Sequence, residues 1–246
     1  MVTNASQTNA QAQTNAQADS PHSTRVAPLE SGDRVSRREF ERRYAAAKHI
    51  QKAELIEGVV YVAAALRFRS HGKPHGDLII WLGNYKVATP NVELADNSTV
   101  RLDLDNEPQP DVALFLDSSV GGQVHISDDD YIEGAPELIA EVAASSAAYD
   151  LGDKKKAYRR NGVQEYIVWQ MFENKLDWFV LQDDEYVALT PDETGIIRSR
   201  VFPGLWLAAD ALLAGDMPSV IATLQQGLAS PEHEAFVQQI HSLQRE

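Results

Sequence analysis

The chain has 246 residues, 43% hydrophobic and 24% charged, the balance of a folded protein of ordinary core size rather than a disordered or fibrous one. Thirty-six acidic against 22 basic residues give a net charge of -14, which excludes a protein that coats nucleic acid by overall positive charge, so any such contact must be local. Cysteine is absent, which removes disulfide frameworks, thiolate catalysis and cysteine-held zinc or iron-sulfur centres.

Apolar runs reach only about 6 to 8 residues, against the roughly 20 that cross a bilayer, so no membrane span is predicted. The first 20 residues carry neither a basic start nor an apolar block, so no secretory signal is expected and the cytoplasm is the expected compartment. Residues 1–33 repeat Thr-Asn-Ala with almost nothing to bury, the pattern of a disordered tail. From Arg34 to Lys52 the chain carries seven bases against Glu39 and Glu41, on a spacing that suits a helix with Phe40, Tyr44 and Ala47 inward. That basic stretch is either a solvated face packed on an acidic body or an arm turned toward phosphates.

Leu55 to Ala63 predicts a strand and His75 to Lys86 a helix. Thr99 to Leu104, Pro110 to Leu116 and Leu138 to Ala144 predict further strands, the last two nearly continuous in apolar residues. The acidic loop Asp128-Asp129-Asp130 lacks the alternating spacing of a calcium loop and is expected to be solvated. Asp150 to Arg160 predicts a helix stopped by Asn161-Gly162. Four strands follow (Gln164 to Phe172, Lys175 to Gln182, Glu185 to Leu189, Ile196 to Phe202), then helices at Ala208 to Ala214, Pro218 to Leu228 and Pro231 to Gln244. This order predicts an α/β protein whose sheet is buried in the middle and antiparallel at its edges, in three parts: a tail over 1–33, a domain over 34–215 and a helical extension over 216–246.

Carboxylates inside apolar strands cost several kcal/mol unless a metal or counter-charge meets them. Asp111 opens one such strand behind Pro110, and Glu141 stands among small and apolar neighbours in another. If the two lie on adjacent strands and face the same way, their oxygens converge on one hard cation, Mg²⁺ or Mn²⁺. In the following helix Asp150, Lys154 and Tyr158 share one stripe, which is either surface decoration or places an ammonium beside the carboxylates. Lys155, Lys156, Arg159 and Arg160 fall on other faces as candidate phosphate contacts.

Taken in order, Glu54-Leu55-Ile56-Glu57-Gly58, His75 ahead of a helix, Pro110-Asp111-Val112-Ala113, Pro136 through Val142, Asp150-Leu151-Gly152-Asp153-Lys154, Tyr158, Gly162-Val163 and Glu165-Tyr166 resemble the Uma-type family of restriction-endonuclease-like proteins in the PD-(D/E)XK nuclease superfamily. The resemblance runs over about residues 50 to 215. It implies a restriction-endonuclease-like central mixed sheet flanked by helices and Mg²⁺-dependent hydrolysis of DNA phosphodiester bonds, with Asp111 and Glu141 as metal ligands and Lys154 as the catalytic lysine. Glu54, or else Glu57, would be the additional acid, and His75 matches a recurrent histidine. The superfamily's plain pattern has its lysine two residues after the glutamate, where this chain has Ala143. Lys154 would supply that charge from the next helix. Cutting both strands of a duplex would favour a homodimer. The competing expectation is a catalytically silent scaffold of the same fold that binds partners through its C-terminal helices. A nucleotide- or sugar-binding enzyme of another fold is disfavoured, because no glycine-rich phosphate loop or nucleophile elbow is present.

Overall fold

The computed structural model describes residues 26–243. Helix α1 (Arg37–Ala46) precedes a hairpin of β1 (Ala53–Ile56) and β2 (Val59–Val62). A π-helical turn, Phe68–Gly72, leads into α2 (Lys73–Ala88), followed by β3 (Val92–Asp96), β4 (Val100–Arg101) and β5 (Val112–Leu116). Short strands β6 (His125–Ile126) and β7 (Ile132–Glu133) come before β8 (Leu138–Ala143). A helical crossover then runs through α3 (Ala147–Tyr149), a second π-helical turn (Asp150–Lys154) and α4 (Lys155–Asn161). The remainder is β9 (Glu165–Gln170), β10 (Lys175–Gln182), β11 (Glu185–Ala188), β12 (Ile196–Arg198), β13 (Trp206–Ala208), α5 (Ala209–Ala214), α6 (Met217–Leu228) and α7 (Pro231–Leu243).

The central sheet has six strands in the order β11-β10-β9-β8-β5-β3. Only β8 and β9 pair in parallel, through the crossover that such pairing requires; the other neighbours are antiparallel. Alternation along β5 and β8 divides their side chains between two cores. Leu114, Leu138, Ala140 and Val142 face α2, α5 and α6, where Trp81 and Trp178 meet edge to face at 5.7 Å. Ala113, Phe115, Ile139 and Ala143 face α4, which contributes Tyr158. A third cluster packs Phe40 of α1, and Ala47 just after it, onto Leu55 and Val60 of the hairpin.

Several expected elements differ. The strand predicted over Leu55 to Ala63 is a hairpin, because Glu57 and Gly58 both adopt positive φ (53° and 71°), the two-residue turn that matches strand twist. Thr99 to Leu104 shortens to the two residues of β4, since Asn106 closes a tight turn back onto Leu102 and Asp103. Strands β3, β6, β7 and β13 were not expected. The disordered tail expected over 1–33 is corrected at its end: Leu29 is buried, and the backbone of Gly32 and Asp33 bonds with Val60. Residues 1–25 of that expectation, and Gln244 at the end of the last helix, lie outside the described residues.

The C-terminal helices close the main core, with Val220 and Leu224 of α6 buried in it. At Gly227 a β-carbon would stand 2.2 Å from the carbonyl oxygen of Gly204 and 2.8 Å from the Trp206 ring. Gly227→Ala is therefore expected to cost about 1–3 kcal/mol, as overpacking does, read as a lower denaturant midpoint at unchanged m.

Candidate active site

The hairpin is tied to the entrance of β5 by a reciprocal backbone pair between Leu55 and Glu107, and this brings Glu54 to the end of the central sheet. There Glu54 Oε1 accepts the Gln109 N–H at 2.7 Å. Continuing the β5–β8 register by one pair sets Asp111 opposite Glu141, with both side chains on the α4 side of the sheet. Each carboxylate is held by the other strand's backbone. Asp111 Oδ2 accepts the Val142 N–H at 2.9 Å, and Glu141 Oε2 accepts the Asp111 N–H at 3.4 Å.

Lys154 enters from the π-helical turn, a distortion that recurs at functional sites. Its ammonium, 2% exposed as a residue, lies 2.7 Å from Glu141 Oε1, 3.0 Å from Glu54 Oε1 and 3.8 Å from Asp150 Oδ1. Tyr158 donates its hydroxyl to Glu141 Oε1 at 3.0 Å. The surface-decoration alternative for the Asp150, Lys154 and Tyr158 stripe is thereby removed, since all three side chains are buried.

Four of the sequence-derived residues, Glu54, Asp111, Glu141 and Lys154, form one buried cluster, and Asp150 and Tyr158 adjoin it. His75 Nε2 hydrogen-bonds the Asp111 carbonyl oxygen at 3.1 Å and lies 3.1 Å from Asp96 Oδ1, so it buttresses the strand entrance. Glu57 is elsewhere: its carboxylate pairs with Arg160 at the surface. The candidate phosphate contacts are engaged too. Lys156 pairs with Asp153, Arg159 with Glu185, and Lys155 sits 3.4 Å from the centre of the Phe179 ring. In the basic stretch, Arg37, Arg42 and Arg43 pair with Glu41, Glu39 and Asp33, which is the solvated-face alternative. Asp129 of the acidic loop pairs with Arg101.

Two site residues escaped the sequence. Lys52, just before β1, places Nζ 3.2 Å from Asp111 Oδ1 and 3.0 Å from Asn97 Oδ1. His71, in the first π-helical turn, places Nε2 3.5 Å from Asp111 Oδ1, and its ring stacks on His75 at 5.6 Å. The resemblance marks neither of them: its residues begin at Glu54, after Lys52, which the sequence shows only as the end of the basic stretch, and it marks His75 but not the histidine one turn earlier.

Burial pushes the Glu141 carboxyl up to about 8, with Lys154 opposing and Asp111, Asp150 and Glu54 adding to the rise. Burial acts on Asp111 in the same direction, but Lys52, His71, the Val142 N–H and Lys154 outweigh it and hold that carboxyl below its ordinary value. Asp150 is raised by burial, against Lys154. Burial opposes charge on Lys154, yet Glu141, Glu54 and Asp150 raise it well above its usual value, so it stays an ammonium ion. The two buried neighbours Asp111 and Glu141 are thus pushed apart, one toward the ionised and one toward the neutral form, as in acid-base sites.

Among the described residues no three His, Asp or Glu side chains form a ready metal cage. The donor chemistry nevertheless fits a hard divalent cation. Oxygen ligands line the cluster, and four carboxylates face only two ammonium groups, leaving an excess of negative charge that adds to the upward push on Glu141.

Outside the cluster, Glu107 offers a separate test. Burial, aided by Glu41, pushes its carboxyl up to about 8, and its Oε2 has no hydrogen-bond partner among the described residues. The fold therefore tolerates the neutral form: this stability is complete below about pH 4.5 and is lost as pH rises through about 8. Glu107→Gln should melt above the parent at pH 9, by on the order of 2–4 kcal/mol, and level with it at pH 4.5.

Among the described residues no helix is long and apolar enough to cross a membrane. No curated protein matches the chain. It is similar to a solved structure described as a "putative nuclease belonging to DUF820" from Anabaena variabilis ATCC 29413, with 15% identity and a TM-score of 0.48 over 66% of this chain and 89% of that one. The family model described as Uma2, "Putative restriction endonuclease", matches residues 37–210, from the first helix through the whole central sheet and the carboxylate cluster, and the chain belongs to that family.

Proposed function

We propose that this chain is a divalent-metal-dependent nuclease that hydrolyses DNA phosphodiester bonds, with Asp111 and Glu141 holding Mg²⁺ or Mn²⁺ and Lys154 as the catalytic ammonium. One observation carries the proposal: two buried carboxylates stand on adjacent strands, and a buried lysine touches one of them and Glu54 together. A bound cation would supply Lewis-acid charge and a water of lowered pKa.

The chain's own residues account for the rest. Lys154, permanently charged, is placed to offset negative charge gathering on the phosphoryl oxygens and to orient an attacking water. Tyr158 and the Asp111 N–H fix the Glu141 carboxylate, while Lys52 and the Val142 N–H fix Asp111, so the oxygens are held before substrate arrives. Glu54 shares Lys154 and keeps its head directed at the cluster. In a symmetric dimer, two such sites would face the two strands of a duplex.

The silent-scaffold alternative has one observation in its favour. Lys154 already neutralises Glu141 at 2.7 Å, a pairing that could serve structure alone. Incubating the full chain with supercoiled and linear DNA in Mg²⁺, Mn²⁺ or EDTA separates the two. Nicking or cutting that needs the cation is expected. Intact DNA across all conditions, together with no heat of Mn²⁺ binding by calorimetry, would sink the nuclease reading.

A further inference from the structure

Most of the bases near the site are occupied by neighbouring carboxylates, but one stretch is not. From Gly58 to Gly76 the sequence contains no Asp or Glu, yet it includes Arg67, Arg69 and Lys73, in a chain of net charge -14. Lys73 pairs with Asp77. Arg67 and Arg69 are exposed and carry no carboxylate partner among the described residues. Between and before them stand Phe68 and Leu66, 73% and 61% exposed, both large apolar side chains left in water. The Phe68 ring lies on the Gly72 side of the turn, its Cδ2 3.8 Å from where a β-carbon on Gly72 would be.

Placement gives this combination meaning. Phe68 and Arg69 lie in the same π-helical turn as His71, whose Nε2 is 3.5 Å from Asp111 Oδ1. The exposed stretch is thus continuous in the chain with the carboxylate cluster. Interleaved arginines and an aromatic ring are the composition that grips an unpaired polynucleotide strand: guanidinium groups on phosphates, ring face on a base.

We infer that Leu66-Arg67-Phe68-Arg69 is the strand-gripping element of this protein, taking a single-stranded or locally unpaired segment of nucleic acid, with Arg67 and Arg69 on consecutive phosphates and Phe68 stacked on a base. The choice of occupant rests on the nuclease reading. The complementary charge supports it independently, because a positive strip beside a negative cluster holds a polyanion where the cluster alone would repel it.

The test uses the full chain in Ca²⁺ with a fluorescein-labelled 20-mer, single-stranded or duplex, followed by anisotropy. Phe68→Ala should weaken single-strand binding about 10-fold and duplex binding less. Arg67→Ala with Arg69→Ala should flatten the slope of log affinity against log salt by about 1.4. Because all three side chains are exposed, each variant should melt with the parent, which separates lost contact from lost fold.

A parent that binds and cuts, with variants of unchanged affinity and salt slope, overturns this inference and leaves the nuclease reading standing. A parent that binds without cutting, with weakened variants, does the reverse. Two other occupants have their own outcomes. If the variants release phosphatidylserine vesicles, or fall from dimer to monomer in sedimentation, while oligonucleotide binding is untouched, the strip serves a membrane or a second copy and the inference fails.

Discussion

Lys154→Ala is expected to lose about 3–5 kcal/mol of stability as well as nuclease activity, because it leaves Glu54, Glu141 and Asp150 buried around a missing charge. The loss should depend on pH. With the ammonium gone, Glu141 and Asp150, which burial already raises, lose the charge that opposes the rise, so their folded values climb further above the unfolded ones. Stability contributed by a raised carboxyl is present at low pH and lost as pH climbs, so the variant's deficit should be small near pH 5 and largest at pH 8 and above. Denaturant unfolding at the two pH values measures it. Lys154→Arg keeps the charge and should recover much of the stability while leaving activity low, since a planar guanidinium does not reproduce the tetrahedral ammonium between two oxygens. An alanine variant as stable as the parent at pH 8 would contradict the geometry on which the site rests.

Asp111→Asn and Glu141→Gln should both abolish metal-dependent cleavage, by about 100-fold or more, yet part company in stability. The reason is the opposite push on the two carboxyls. Burial pushes the Glu141 carboxyl up to about 8, so the folded chain leans toward its neutral form and gives up less than at Asp111 when the charge is removed. Its variant should lose less than the Asp111 variant, the loss coming from the amide NH2 that must face a donor, either the Asp111 N–H or Lys154 and Tyr158. Asp111 is held ionised by Lys52, His71 and the Val142 N–H against its burial, and asparagine abandons that charge while leaving Lys52 beside a neutral group. A loss of about 1–3 kcal/mol is expected. Chemical denaturation at pH 7 in EDTA gives the stabilities, and cleavage in Mn²⁺ the activities. If Glu141→Gln cuts DNA at the parental rate, its assignment as a ligand is wrong.

Much of this site could be seen in the sequence, for identifiable reasons. Asp111 and Glu141 stood out because a carboxylate among apolar strand residues is conspicuous, and strand alternation then set Glu141 on the face away from Ala140 and Val142. The spacing of four in Asp150, Lys154 and Tyr158 gave their common direction, although the turn that carries the first two is π-helical rather than α-helical. Glu54 came from the resemblance, and its approach to Lys154 depends on the long-range pairing of Leu55 with Glu107, which no local pattern announces. Lys52 was hidden the same way: along the sequence it ends a basic run, and only the folded hairpin carries it to Asp111. His71 lies in an irregular turn where neither helical nor strand periodicity applies. Strand β3 carries a legible alternation of Val92 and Leu94 against Glu93, while β13, three residues long, has too little pattern to detect.

The second π-helical turn has a consequence for how relatives of this chain should be compared. A turn of that kind accommodates one residue more than an α-helix would at the same height, so the distance along the chain from a glutamate to its lysine is elastic. A related protein could drop or gain a residue in this crossover, regularise the helix, and deliver its ammonium to the same oxygens from a different count. Aligning such chains by fixed spacing would then score a working centre as a broken one, and superposing the nitrogen on the carboxylates is the safer criterion of kinship.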